Sequence, residues 1–235
     1  MEIRLVDKTS SVLDTPRIAA DRFGRPHIVY GYLIDDWSAD YALKYAYRDR
    51  FGWHIENISD LGQTGPHSSI AVDILGRPRI AYLSYPEGSL MYAVRDGAGW
   101  HAEEIDPDPS AWPVLCLDRN GEPRGVYSYL PSWFTREKRY ASRGSDGWSI
   151  ETLDQEFSGE FTGFDIDLLG TDHIAFVQFN PGIPGNEVVY LSRDAAGWHE
   201  EVVVQGRLIS DYAELAVNEN GLVGIKLRHP KIVRI

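Results

Sequence analysis

Two carboxylates and a guanidinium stand at positions where the chain otherwise repeats small or apolar residues. Asp165 interrupts the series Ala19, Ala71, Cys116, Asp165 and Ala216, and two residues before each of these the chain reads Arg17, Ser69, Val114, Gly163 and Glu214. Two carboxylates close together in a partly dry site cannot both ionise freely. One then keeps a proton near neutral pH and acts as general acid while the other acts as base. In this reading Asp165 and Glu214 form the acid-base pair, Arg17 stabilises developing negative charge, and His67, Asp14 and Asp211 ring the pocket. The same charges have a structural reading, in which Arg17 pairs with Glu214 or Asp165 and plugs a narrow channel.

Aromatic residues point to a wall for a ligand. Four of the seven tryptophans fall in Gly-Trp pairs, at Trp53, Trp100, Trp148 and Trp198, whereas Trp37, Trp112 and Trp133 do not. These three read either as rings packed under a loop or as stacking surfaces for a sugar-like or aromatic ligand. Histidine divides the same way. His27, His54, His101, His173 and His199 recur at fixed positions, while His67 and His229 do not, and imidazole exchanges protons near neutrality. With Tyr212 and Ser69, these residues complete the expected ligand-contact set. Cys116 reads as a small core residue, and a nucleophilic role would require a histidine or cation beside it.

The elements that must position these groups follow from the repeat. The Gly-Trp pairs recur about every 48 residues and close four copies of one unit, with an incomplete fifth beginning at ELAVNENGLVGIKL. Each full copy holds four short runs of β-branched and aromatic residues separated by Gly, Asp, Asn or Pro, which is a strand signature. Four strands per unit define a propeller blade. The fifth copy lacks its outer strand, and Met1–Asp7 fits the pattern of Trp148–Asp154, so the N-terminus is expected to complete the last sheet and cover its edge. The expectation is an all-β, five-bladed propeller in one domain, with blades at about 16–58, 69–105, 113–153, 162–203 and 213–235 plus 1–7.

The segment ILGRPRIAYLSYPEGSLMYAVRDGAGWHAEEI carries a resemblance. It resembles the bacterial propeller repeat with an Asp-Gly-Pro turn and a Tyr-Ala…Gly-Trp hairpin, loosely related to the Asp-box repeats of sialidase-like propellers. Ser192–Trp198 resembles a degenerate Asp-box, which the resemblance implies is a structural turn. The likeness covers nearly the whole chain and implies a fold; no catalytic residue comes with it. Five-bladed glycosidases, by analogy of fold, place acidic residues at the end of the axial channel.

Parity along a four-stranded meander sends the short, repetitive hairpin turns to one end and the divergent loops to the other. The turn end reads as scaffold. The loop end, with SDLGQTGPHS, DPDPSA, LPSWFTRE and their counterparts, is where binding residues are expected. The turn aspartates Asp21, Asp73, Asp118 and Asp167, with Asn218 in the fifth copy, read as local turn chemistry. On the first strands, Ile18, Ile70, Leu115, Phe164 and Leu215 are expected to pack between blades.

Composition removes several classes. A net charge of −12 opposes nucleic acid or an anionic membrane as partner, since both need clustered Lys and Arg. No metal-ligand spacing, phosphate-binding glycine loop or Gly-x-Ser-x-Gly elbow occurs, so no cofactor and no metal are expected. A single cysteine excludes an intrachain disulfide, and with no signal-peptide pattern at the N-terminus the expectation is a cytoplasmic monomer. The function expected is metal-independent acid-base chemistry on a small molecule or glycan at one central site. The alternative is a lectin or a protein-binding scaffold without catalysis; a lectin would repeat its loop residues in successive blades.

Overall fold

A computed structural model describes residues 6–7, 16–34, 41–58, 61–132, 136–154, 162–179, 185–206, 213–218, 220–227 and 232–234. The chain divides into two compact units, Met1–Leu115 and Cys116–Ile235. The division falls inside a strand of the third repeat. Nearly all regular structure among the described residues is strand, and no helix among them is long and apolar enough to cross a membrane.

In the first unit β1 (Arg17–Ala20), β2 (Pro26–Leu33), β3 (Tyr41–Asp49) and β4 (Gly52–Asn57) pair antiparallel in chain order. The next four, β5 (Thr64–Val72), β6 (Pro78–Ser84), β7 (Leu90–Asp96) and β8 (Gly99–Asp106), repeat the arrangement. One bridge, Tyr41 to Thr64, links the two sets into a continuous sheet. β9 (Ser110–Leu117) follows. The second unit holds β10 (Pro123–Tyr129), β11 (Glu137–Gly144) and β12 (Gly147–Asp154), then β13 (Thr162–Ile166), β14 (Asp172–Phe179), β15 (Asn186–Asp194) and β16 (Gly197–Gly206). It ends with β17 (Ala213–Val217), β18 (Val223–Leu227) and β19 (Ile232–Arg234). Each of these sets also pairs antiparallel in chain order.

One side chain writes the turn between the first two strands of every set. Asp21 Oδ1 accepts the amides of Phe23 and Arg25 at 2.8 and 2.9 Å. Asp73, Asp118, Asp167 and Asn218 do the same for the amides two and four residues on. The glycine three residues after each, such as Gly24 at φ +71°, adopts a left-handed conformation that a side chain would strain. Proline opens β2, β6 and β10, at the one strand position where a missing N–H costs no ladder bond. Amide donation lowers the pKa of Asp21, Asp73 and Asp167 in spite of the opposing effect of burial.

Neighbouring sets are joined by recurring contacts. Tyr45 meets Trp100 edge-on at 5.4 Å, and Arg95 donates twice to Glu56, at 2.9 and 2.7 Å. Two repeats further along the chain the pattern returns. Tyr140 meets Trp198 at 5.1 Å, and Glu151 accepts from Arg193 at 2.8 Å and from Trp198 Nε1 at 3.0 Å. Trp100 and Trp198 of the Gly-Trp pairs are thus packing residues. The core of the first unit is Val29, Leu43, Tyr45, Ile58, Ile70, Ile80, Tyr82 and Ala93; that of the second includes Val177, Val188, Tyr190 and Ile225. Burying each large side chain contributes roughly 1.5–3 kcal/mol. The expected packing parity holds at Ile70, Leu115 and Phe164, all buried. It fails at Ile18, which is 68% exposed, while Ala19 packs on the core. In this four-residue strand the core-facing side is the one carrying Arg17 and Ala19, so the larger apolar residue points to solvent.

Candidate functional site

Four of the expected residues lie in the first unit. Arg17 begins β1, Ser69 and His67 lie on β5, and Trp112 lies on β9. β1 and β5 pack against each other. The β5 ladder to β6 is regular from Ser68 onward, but between Thr64 and Ser68 its register shifts, so His67 sits on a bulge. Bulges of this kind re-aim side chains. Gly65 permits the distortion, since a Cβ there would lie 2.9 Å from Leu83 Cβ.

The ring of His67 lies 5.4 Å from that of Trp112, inclined by 37°. Trp112 is the one described non-glycine residue with positive φ, at +49°. A bulky residue in the left-handed region costs about 1–3 kcal/mol, and such strain persists where the surroundings over-determine it. Next to the bulge, the buried hydroxyls of Thr64 and Ser68 and that of Ser84 have no hydrogen-bond partner among the described residues. Buried polar atoms are normally paired, and these three hydroxyls cluster around one bulge. Ser69 is committed elsewhere, its Oγ accepting the Leu115 amide at 3.0 Å.

The second unit places Asp165 on β13 and Glu214 on β17, strands that run side by side. Gly163 makes that approach possible, since a Cβ there would meet Leu215 Cβ at 2.7 Å and the Glu214 carbonyl carbon at 2.9 Å. Asp165 Oδ1 accepts the Ile166 amide at 2.9 Å and Oδ2 the Val217 amide at 2.8 Å. Glu214 is exposed and pairs with Lys226 at 2.9 Å. The Cys116 thiol donates to the Phe164 carbonyl at 3.2 Å, and desolvation, then the carboxylates of Asp165 and Asp172, push its pKa up. That environment suppresses the thiolate, in keeping with a core role.

A shared pattern emerges. Ser69, Cys116 and Asp165, polar members of the two inner-strand series, each tie their strand to the backbone of the next inner strand. Arg17 belongs to the first unit, Asp165 and Glu214 to the second. Trp37, Trp133, His229, Asp14, Asp211 and Tyr212 lie outside the described residues, as does most of the segment 1–7. Of that segment Asp7 is described, and it accepts from Tyr30 Oη at 2.6 Å and Lys44 Nζ at 3.0 Å.

The sequence reading missed a cluster on the opposite, turn end. Asp172, 1% exposed, accepts from Arg124 Nη1 and from Tyr140 Oη, both at 2.8 Å. A signal for it exists, because Thr171-Asp172 stands where the first three repeats read Arg25-Pro26, Arg77-Pro78 and Glu122-Pro123.

The sequence matches no protein-family model and no curated protein. Solved structures do match. A puromycin hydrolase complexed with PGG aligns with a TM-score of 0.62 at 12% identity, over 96% of this chain and 38% of that one. A polysaccharide lyase of family PL25, an ulvan lyase bound to a GlcA–Rha3S chain, gives 0.62 at 13% identity, over 93% and 65%. A GH43 β-1,3-galactosidase with galactodeoxynojirimycin gives 0.56 at 12% identity, over 93% and 89%. The chain therefore spans well under half of the first protein and about two thirds of the second. Likenesses at this identity define a fold, and the fold they define is an all-β, propeller-type one.

Proposed function

We propose that the chain is a five-bladed propeller, closed by residues 1–7 on the last sheet, whose loop end binds a sugar-type ligand at a site built on Arg17, His67 and Trp112. The observation that carries this reading is the His67–Trp112 pair, held on a bulge and on left-handed backbone. An indole supplies the flat apolar face that a sugar ring stacks on, an imidazole moves a proton, and a guanidinium holds a carboxylate, a sulfate or developing negative charge. The sugar-directed character of the structurally similar lyase and galactosidase supports the choice of ligand class.

Acid-base chemistry in this site falls to His67. A second reading, a sugar-binding module without catalysis, is favoured by one observation. Both oxygens of Asp165 are taken by backbone amides, which is the position of a brace. The test is to titrate the full chain calorimetrically with galactan, arabinan and ulvan oligosaccharides and to follow their cleavage by product analysis. Binding that disappears in Trp112→Ala, with cleavage that disappears in His67→Gln, supports the catalytic reading. Binding without cleavage selects the module. A wild-type chain that binds none of the three sinks both.

A further inference from the structure

At the turn end of the second unit, the ends of strands β10, β11, β14 and β15, with the turns that lead into β10 and β14, flank an open cleft of about 570 Å³. Its floor is the Asp172–Arg124–Tyr140 cluster, and Arg124 also donates to the Gly170 carbonyl at 3.0 Å and to Asp118 at 3.3 Å. In the first unit two side chains occupy the matching position. Arg25 folds back onto Asp21 at 2.6 Å with its guanidinium beside Gly76, where a Cβ would lie 3.8 Å from Nη2. Tyr47 stacks on His54 at 4.9 Å and on Tyr45 at 5.4 Å, and lies 5.9 Å from the Arg95 guanidinium. In register, Glu122 replaces Arg25 and Ser142 replaces Tyr47. Across the cleft Thr171 replaces Arg77, and the buried carboxylate of Asp172 replaces Pro78. The first unit thus fills its junction with Arg and Tyr, and the corresponding one in the second unit is lined with hydroxyls over a buried ion pair.

The lining chooses among ligands. Asp118, Glu122, Asp172 and Asp194 set four negative charges against three positive ones on Arg124, Arg143 and Arg193. With charges so nearly balanced, no strong field favours a phosphate or a metal ion. What remains is a dense alternation of donors and acceptors, with Ser142 and Thr171 hydroxyls among them, and the apolar Leu169 on the lip, 86% exposed. Neutral sugars present that same mixture of hydroxyls and an apolar ring face. The volume lies within the range of small-molecule sites. We propose that this cleft is a second ligand site, for a neutral polyhydroxylated molecule of monosaccharide to disaccharide size, held by the Ser142 and Thr171 hydroxyls and the Asp172–Arg124 pair. It is separate from the loop-end site and stands whether or not that site binds sugar.

The test adds D-glucose, D-galactose and D-mannose in turn to the isotope-labelled full chain and follows backbone amide shifts, with inorganic sulfate and D-glucuronate as anionic comparators. Saturable shifts at Ser142, Gly170 and Thr171 with at least one neutral hexose are expected. Two variants refill the cleft after the pattern of the first unit, Ser142→Tyr and Thr171→Arg, each checked by thermal melting. Whichever folds should weaken hexose binding by about tenfold or more. Trp112→Ala, at the loop end, should leave the Ser142 and Gly170 shifts as they are, which separates this proposal from the preceding one. Shifts with sulfate or glucuronate but with no neutral hexose, shifts with nothing, or hexose affinity that survives a folded refilled variant would each overturn it.

Discussion

At the scale of single residues, Asp165 and Trp112 make opposite demands on the backbone. Truncating Asp165 strands the Ile166 and Val217 amides, and an unsatisfied buried donor costs about 1–3 kcal/mol. Asp165→Ala should therefore lower urea stability by that order and Asp165→Asn by less, because the amide oxygen still accepts one bond. A loss near zero for Asp165→Ala would reject the brace. Glu214→Ala should cost below about 1 kcal/mol, as its bridge to Lys226 is exposed. At Trp112 the strain argues for comparing two small replacements. Trp112→Gly should melt above Trp112→Ala by the equivalent of about 1 kcal/mol, since φ of +49° favours glycine. Titration offers a further check. Burial, with help from Arg25 and against the pull of Asp21, lowers the pKa of His27 from 6.5. The unfolded chain then binds the proton more readily, so stability present above pH 6.5 is lost as the pH falls toward the folded value. The lowered turn aspartates add a second loss below their ordinary 3.8. Calorimetry across this range should show both limbs, and His27→Gln should flatten the first.

At the scale of elements, the inner strands approach so closely that one methyl group matters. Gly163→Ala would press a Cβ into the backbone of β17, where no flexible side chain can yield, and overpacking of this kind costs about 1–3 kcal/mol or more. A denaturation midpoint unchanged from wild type would mean that β13 and β17 are not in contact. The strands themselves were legible, because alternation and Gly-Trp spacing are local signals. So were the turns, with Asp21, Asp73, Asp118, Asp167 and Asn218 each bonding amides within four residues. The bulge at His67 was not legible, because it depends on how β5 passes Leu83, nor was the packing side of β1, where Ile18 turned outward.

At the scale of the whole molecule, the proposed closure predicts how the chain unfolds. A ring sealed by residues 1–7 should melt in one calorimetric transition, and removing those residues should lower amide protection in β18 and β19. Two transitions matching 1–115 and 116–235 would instead make each compact unit independent. The sequence by itself determined the all-β repeat, the strand order, the turn chemistry and the two sets of irregular residues, because each of these is written within a few residues of chain. Only the tertiary structure decided that Asp165 ties β13 to Val217, that Glu56 clamps Arg95, and that Asp172 draws in Arg124 and Tyr140. Those partners lie 32 to 52 residues apart in the chain, and which of them meet is set by the packing of one strand set against the next.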